Sequence, residues 1–94
     1  MKLWVDDERP APEGWERVES SREAIELLQS TNVTELSLDY CLKNWDTGDA
    51  VLYWLAENRD RIPGTLYAHS SSASGCALLE RIANDLLGVE ITER

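Results

Sequence analysis

Residues 2–7, Lys-Leu-Trp-Val-Asp-Asp, place two carboxylates at the end of a short apolar run, and residues 36–39, Leu-Ser-Leu-Asp, end in a third. Short apolar runs of this kind are typical of buried strands. If both strands are parallel, their carboxyl ends meet at the edge where open α/β sheets bind ligands. Asp6, Asp7 and Asp39 therefore predict a site for a hard cation and a phosphate.

The segment between these two runs predicts a helix. Ser20 and Glu23 fit a capping box, and an apolar stripe at helical spacing follows to about Ser30. A strand from Glu35 to Leu38 comes next. A helix between two strands of one sheet is a right-handed crossover, which makes the strands parallel.

The second half of the chain repeats this alternation. A loop over residues 40–47 leads to a helix that begins at Gly48 and ends near Arg61. Residues 15–18 alternate apolar with polar as a half-buried strand would, so residues 65–69 form the fourth strand. A serine-rich run then leads into a third helix, which Gly88 ends. Residues 89–92 are open to two interpretations, a fifth edge strand or a frayed tail.

Length and charge limit the possible functions. The 94 residues suffice for a single domain, residues 1–94, with one modest core. Eighteen acidic and nine basic residues give a net charge of -9. Duplex nucleic acid and anionic membranes are therefore poor partners, because both attract clustered lysine and arginine. The acidity serves either solubility or docking on a basic partner surface.

The cysteine pattern disfavours a zinc site. Cys41 and Cys76 lie far apart, and His69 is the only histidine. The sequence shows neither a signal peptide nor an apolar stretch long enough to cross a bilayer. We expect a cytoplasmic protein with free thiols.

Converging carboxylates repel each other, so their grouping favours a bound cation or an acid/base role over simple turn capping. His69 and Ser70 lie at the carboxyl end of the predicted fourth strand, at the same edge as the acids if that strand neighbours the third. The imidazole can move protons near neutral pH, although a lone histidine can equally be structural. The serines from Ser70 onward either cap the third helix or bind an anion. Arg9 either braces a carboxylate or clamps a phosphate oxygen.

In the order of these residues the chain resembles receiver domains of two-component signalling. Receivers carry an acidic pair after the first strand, an aspartate after the third and a hydroxyl after the fourth, and the matching residues are Asp6, Asp7, Asp39 and Ser70. The chain departs from receivers because the lysine expected after a fifth strand is absent and because a loop replaces the first helix.

A closer resemblance is to the receiver-like family proposed to process cyclic phosphates. Its members share runs similar to residues 6–10, Asp-Asp-Glu-Arg-Pro, residues 37–39, Ser-Leu-Asp, and residues 69–70, His-Ser. The resemblance implies a small three-layer, doubly wound parallel sheet of four to five strands, flavodoxin-like, with the first and last helices missing or shortened. One departure is that Tyr40 and Cys41 stand where the family has histidine and a second aspartate.

The resemblance also implies roles for the residues. Asp6 and Asp7 would hold Mg²⁺ together with the carbonyl of Cys41, and Asp39 would be the phosphoryl acceptor. The grouping of the three acids also suggests Asp39 as a metal ligand. The predicted catalytic residues are Asp39, His69 and Ser70, and the predicted phosphate-binding residues are Ser70, Ser71 and Arg9.

Two functions are consistent with these observations. The first is a Mg²⁺-dependent hydrolase or binder of small cyclic phosphate esters. The alternative is a non-catalytic receiver-like adaptor that binds a partner protein, with Tyr40, Trp45 and Tyr53 as an apolar docking patch. A third possibility, an acidic inhibitor that imitates nucleic acid, requires charge spread over one face.

Overall fold

Five parallel strands form one sheet in the order β2-β1-β3-β4-β5 in a computed structural model that describes all 94 residues. Helices connect the strands from β2 onward. In chain order the elements are β1 (Lys2–Val5), β2 (Glu16–Val18), α1 (Ser21–Ser30), β3 (Glu35–Leu38), α2 (Asp49–Glu57), a 3₁₀ turn (Arg59–Arg61), β4 (Thr65–Ala68), α3 (Ala73–Ile82), a π-helical turn (Ala83–Leu87) and β5 (Ile91–Glu93).

The first crossover forms as its capping residues predict. The Ser20 hydroxyl oxygen accepts a hydrogen bond from the Glu23 amide at 3.1 Å, and the Glu23 carboxylate accepts one from the Glu19 amide at 3.3 Å. The amides at the start of α1 and just before it are thereby satisfied by side chains. The helix then crosses to β3, which pairs in parallel with β1.

The later elements differ from the expectations in their ends. The second helix stops at Glu57 instead of near Arg61, because Asn58 leaves helical geometry and the chain continues as a 3₁₀ turn. The third helix widens into a π-helical turn before Gly88, whose φ of 68° is left-handed. The open question at the end of the chain is resolved as a strand, since β5 pairs in parallel with β4.

The receiver-like α/β fold is confirmed, and the missing first helix leaves one face of the sheet without helices. The connections from β2 to β3, β3 to β4 and β4 to β5 all step in the same direction across the sheet. Right-handed crossovers therefore place α1, α2 and α3 on one face, where α2 packs against both neighbours. Because a loop replaces the helix between β1 and β2, residues 1–94 form two layers instead of the expected three.

The core lies between the sheet and this single helical layer. Twenty buried apolar side chains form one cluster there, among them Leu3, Val5, Leu36, Leu38 and Leu66. Alternate strand residues point to the opposite face, which we call the open face. No helix of the chain is long and apolar enough to cross a membrane.

Aromatic side chains cover part of the open face. Trp4 contacts Trp15 edge to face at 5.9 Å between ring centroids, and Trp15 contacts Tyr67 in the same way at 6.0 Å. The Arg94 guanidinium lies 4.9 to 5.7 Å from all three ring centroids. These cation–π contacts shield the rings in place of a helix.

Candidate active site

The register of the sheet aligns the ends of three central strands. Val5 pairs with Leu38, and Leu38 pairs with Ala68. The residues that follow are therefore neighbours at the carboxyl edge of the sheet, and they are Asp6, Asp39 and His69. The sequence predicts that the acids after β1 and β3 meet at this edge. They do so because the pairing of β1 with β3 continues without interruption to the ends of both strands.

Asp6 is fully buried and organises the turn after β1. Its Oδ1 atom accepts hydrogen bonds from the amides of Glu8 at 2.8 Å and Arg9 at 3.0 Å. An aspartate that binds its own chain two and three residues on reverses the backbone direction. This turn stands where a receiver would begin its first helix, and it leaves only Oδ2 of Asp6 for other contacts.

His69 holds that remaining oxygen. The imidazole is 2% exposed, its Nε2 lies 3.1 Å from Asp6 Oδ2, and its Nδ1 lies 2.7 Å from Ser37 Oγ. The ring also stacks on Trp4, with centroids 3.7 Å apart and planes inclined by 8°. Packing and hydrogen bonds therefore give the ring one orientation.

The protonation state of His69 follows from its surroundings. Burial lowers its pKa from 6.5 to about 4, against the opposing effect of the Asp6 carboxylate. The ring is neutral at pH 7. Because a carboxylate only accepts, Nε2–H donates to Asp6 and Nδ1 accepts from the Ser37 hydroxyl. Both ring nitrogens are used within the protein, so this geometry fits a residue that positions Asp6, and the catalytic role of His69 stays a prediction.

Asp39 is the half-buried carboxylate of the site. Its amide donates to the Val5 carbonyl at 3.0 Å, which continues the ladder by one bond. Its pKa is raised above the usual value, first by burial and then by the charge of Asp6, while the Tyr40 amide, the Ser70 hydroxyl and Arg9 act in the opposite direction. A cation between Asp6 and Asp39 would relieve this repulsion.

A cavity of about 110 Å³ opens beside these carboxylates. It brings together most of the residues predicted for metal and phosphate binding, including Asp39, Ser70 and Ser71, and adds one for which the sequence suggested no role, Glu8. The lining residues are Asp6, Glu8, Arg9, Asp39, Cys41, Ser70, Ser71 and Ser72. Asp7 is half-buried and is not among the lining residues, so its role as a metal ligand stays a prediction.

Arg9 is the cation that lines this cavity. One of its guanidinium nitrogens donates to the His69 carbonyl at 3.0 Å, and its own carbonyl accepts from Arg17 at 3.0 Å. The first contact braces the turn after β1 against the end of β4, and the second braces it against β2. The remaining guanidinium donors are free of hydrogen bonds within the protein and are suited to an anion.

The serine run divides between capping and the cavity. Ser72 caps α3, because its hydroxyl accepts from the Gly75 amide at 3.1 Å. Ser70 accepts from the Ser72 amide at 3.2 Å and lines the cavity together with the exposed Ser71. The capping interpretation therefore holds for Ser72, and anion binding by Ser70 and Ser71 stays a prediction.

Gly48 is required by the close approach of two backbones. A Cβ atom at this position would lie 2.0 Å from the Asp39 carbonyl oxygen. The Gly48 amide donates to the Tyr40 carbonyl at 2.7 Å, which closes the loop of residues 40–47. At the tip of that loop Trp45 is fully exposed, with a left-handed φ of 63°, so it does not cover the site.

The donor set is suited to a metal ion. Ligand atoms of Asp6, Asp39 and His69 all lie within 4.8 Å of one another, so these residues could hold a metal. Since His69 Nε2 already donates to Asp6, the two carboxylates are the available anionic donors. Two carboxylates with water and phosphate oxygens suit a hard cation.

A parallel sheet with acids after its first and third strands and a hydroxyl after its fourth defines a receiver-like domain. The family model described as the cyclic-phosphate processing receiver domain matches residues 1–85. The chain belongs to this family. A search of curated proteins found no match to the chain.

The raised pKa of Asp39, caused first by burial and then by the charge of Asp6, leads to a stability prediction for the metal-free protein. A raised pKa in the folded state means that the ionised form of Asp39 opposes folding. The stability that the protonated carboxyl contributes at low pH is therefore lost as the pH rises through that pKa. We expect Asp39→Asn to raise Tm by several degrees at pH 7 in EDTA, since about 1 kcal/mol shifts Tm by roughly 4–8 °C in a domain of this size. Thermal unfolding followed by circular dichroism measures this.

The matched control is Asp60→Asn, because Asp60 is an exposed carboxylate in the 3₁₀ turn at the other edge of the sheet. We expect this control to leave Tm unchanged. A Tm of Asp39→Asn equal to or below that of the wild type would contradict the prediction that ionised Asp39 destabilises the folded protein.

Proposed function

We propose that this domain binds Mg²⁺ between Asp6 and Asp39 and opens small cyclic phosphate esters by hydrolysis. The observation that carries the proposal is the cavity in which these two carboxylates adjoin Arg9 and Ser70. Anionic and cationic groups around one small cavity suit a ligand that carries both a metal and a phosphate. Membership of a family associated with cyclic-phosphate processing supports the same substrate class.

Mg²⁺ is the metal that the donor set favours. It prefers oxygen ligands, keeps several waters and usually needs only one or two carboxylates. Asp6 Oδ2 and the Asp39 carboxylate would provide these, and the carbonyl of Cys41, which lines the cavity, would add a third oxygen. The ion would neutralise charge on the phosphate oxygens and help to orient the substrate.

The remaining residues would bind the phosphate and manage the protons. The Arg9 guanidinium and the hydroxyls of Ser70 and Ser71 would bind the non-bridging oxygens. The Asp39 carboxylate would accept a proton from a water molecule as the water oxygen attacks phosphorus. One ester P–O bond then breaks, and the leaving alkoxide takes a proton from solvent at the mouth of the cavity, which yields a phosphate monoester.

His69 would act through Asp6. Its hydrogen bond to Asp6 Oδ2 and its stacking on Trp4 hold the carboxylate in one orientation. An orienting partner of this kind supports a metal ligand from outside its coordination shell. Direct contact with substrate would require one ring nitrogen to leave Asp6 or Ser37.

The test is a binding and hydrolysis assay with purified protein. We expect Mg²⁺ to change tryptophan fluorescence saturably, because Trp4 stacks on the His69 that holds Asp6. We expect the wild type with Mg²⁺ to hydrolyse a member of a panel of cyclic phosphates, including nucleoside 2′,3′-cyclic phosphates and glycerol 1,2-cyclic phosphate. Asp39→Asn should lower hydrolysis by at least 100-fold, since it removes both a metal ligand and the proton acceptor.

Asp60→Asn again serves as the control and should retain full activity. Asp7→Asn tests whether that residue is a ligand, because losing a ligand should weaken Mg²⁺ binding much more than losing a nearby charge. If Mg²⁺ binds but every cyclic phosphate stays intact, hydrolysis is excluded. That outcome would favour the adaptor function over the enzyme.

The adaptor function draws on exposed aromatic side chains. Tyr40 packs partly buried against the core, Trp45 is fully exposed, and Tyr53 is half exposed and lines a groove between α2 and α3. The aromatic residues suggested by the sequence therefore occupy different environments. Only Tyr53 belongs to a formed groove.

A further inference from the structure

The helical layer carries an apolar groove of about 310 Å³ that the candidate active site does not use. Its apolar lining consists of Tyr53 from α2, Leu78 and Ile82 from α3, and Leu86 from the π-helical turn. Three of these side chains, Tyr53, Leu78 and Leu86, are 37 to 50% exposed, and they are three of the five large exposed hydrophobic residues in the chain. Exposed apolar side chains that converge on one groove indicate a contact surface.

We propose that this groove docks an amphipathic helix of a partner protein, with an apolar face and basic flanks. Leu78, Ile82 and Leu86 follow one another at intervals of four residues and form one stripe. The stripe spans about 12 Å, because a helix rises 1.5 Å per residue. Two turns of a docked helix, with apolar residues at i, i+3 or i+4 and i+7, match that length.

The charges around the groove favour basic flanks. Asp49 and Asp85 line it together with a single cation, Arg81. Arg81 is already directed to Asp85, with 3.8 Å between Nε and Oδ2. Asp49 is left without a cationic partner, so lysine or arginine beside the docked apolar face would meet an acidic rim.

The same charges disfavour a second copy of this chain as the occupant. Each copy carries a net charge of -9, so two copies repel each other. A stable dimer interface also needs roughly 800 Å² from each partner, and three exposed apolar side chains provide much less. A docked helix of about two turns contacts only the groove itself, so it matches an area smaller than that of a stable dimer interface.

The π-helical turn keeps one end of the groove in place. The Arg59 guanidinium donates to the carbonyls of Leu86 and Leu87, at 2.5 and 3.3 Å. These bonds satisfy carbonyls that the end of a helix leaves free. Widened helical turns of this type recur at functional sites, and this one carries Leu86.

Fluorescence anisotropy with a designed peptide tests the proposal. The probe is a fluorescein-labelled 18-residue helix with leucines along one face and lysines elsewhere. Two control peptides keep the length. One has the same composition in scrambled order, and the other has glutamate in place of lysine. At about 0.15 M salt we expect the probe to bind at least tenfold more tightly than either control.

Two variants locate the binding surface. Leu78→Ser should weaken binding of the probe at least tenfold, whereas Trp45→Ser removes an exposed aromatic side chain outside the groove and should change it by less than twofold. Circular dichroism checks that both variants are folded.

Equal binding of the scrambled peptide, or equal loss in Trp45→Ser and Leu78→Ser, would overturn the proposal. A wild-type dimer in sedimentation that Leu78→Ser dissociates would also overturn it, because the groove would then belong to a second copy. None of these outcomes depends on Mg²⁺ or on cyclic phosphates, so the groove and the candidate active site are tested separately.

Discussion

Asp6→Ala is expected to cost about 3 kcal/mol or more of unfolding free energy and to abolish Mg²⁺ binding. The fully buried carboxylate accepts hydrogen bonds from the amides of Glu8 and Arg9 and from His69. A buried donor such as His69 Nε2–H costs about 1–3 kcal/mol when it loses its acceptor, and the two partly buried amides add to this cost. Total stability of a domain this size is about 5–14 kcal/mol, so the loss is a large fraction of it. Urea unfolding followed by tryptophan fluorescence measures the change.

Asp6→Asn separates the structural role from the metal role. The asparagine carbonyl can still accept from the two backbone amides, and its NH₂ group can donate to His69 if the ring protonates Nδ1 instead of Nε2. We expect this variant to lose less than about 1.5 kcal/mol, as for a single hydrogen bond, and still to lose Mg²⁺ binding, because it lacks the charge. If Asp6→Asn bound Mg²⁺ like the wild type, Asp6 would not be a ligand.

Acid is expected to destabilise the metal-free protein through His69. The pKa of this residue falls from 6.5 to about 4 on folding, so the unfolded chain takes up the proton first. The contribution of neutral His69 to the unfolding free energy is fully present above pH 6.5, and it is lost as the pH falls from 6.5 towards 4. Between pH 7 and pH 5 one such group lowers the unfolding free energy by about 2 kcal/mol.

His69→Gln isolates this contribution. Glutamine can donate and accept hydrogen bonds but does not titrate, so the difference in unfolding free energy between the wild type and His69→Gln should shrink by about 2 kcal/mol from pH 7 to pH 5. Urea unfolding in EDTA at both pH values provides the comparison. A difference that stays constant with pH would show that the buried ring keeps an ordinary pKa.

The strand ends were predictable because a local pattern encodes them. A short apolar run followed by acid marks both β1 and β3, and the predicted bounds of these two strands agree with the structure. The capping box at Ser20 is equally local, and it starts α1 as predicted. Helix ends were less predictable, because Asn58 ends α2 through its own backbone angles and not through proline or glycine.

The contacts that Trp4 and Ser37 make in the site were missed, although a signal for their position exists. Trp4 and Ser37 lie two residues before Asp6 and Asp39, so the alternation of a strand puts them on the same face as those acids. That face also contains His69. What the alternation does not show is that Trp4 stacks on His69 while Ser37 binds its Nδ1 atom, because both contacts join different strands.

The amino-acid sequence alone determined the elements, the parallel α/β fold and the edge at which the acids gather, because these depend on local patterns and on the handedness of crossovers. Only the tertiary structure decided the burial, the hydrogen-bond partners and the pKa shifts of the residues at this edge. Burial lowers the pKa of His69 against the opposing effect of Asp6, and burial together with the nearby charge of Asp6 raises the pKa of Asp39. The groove between α2 and α3 arises in the same way, since it exists only once two helices pack side by side.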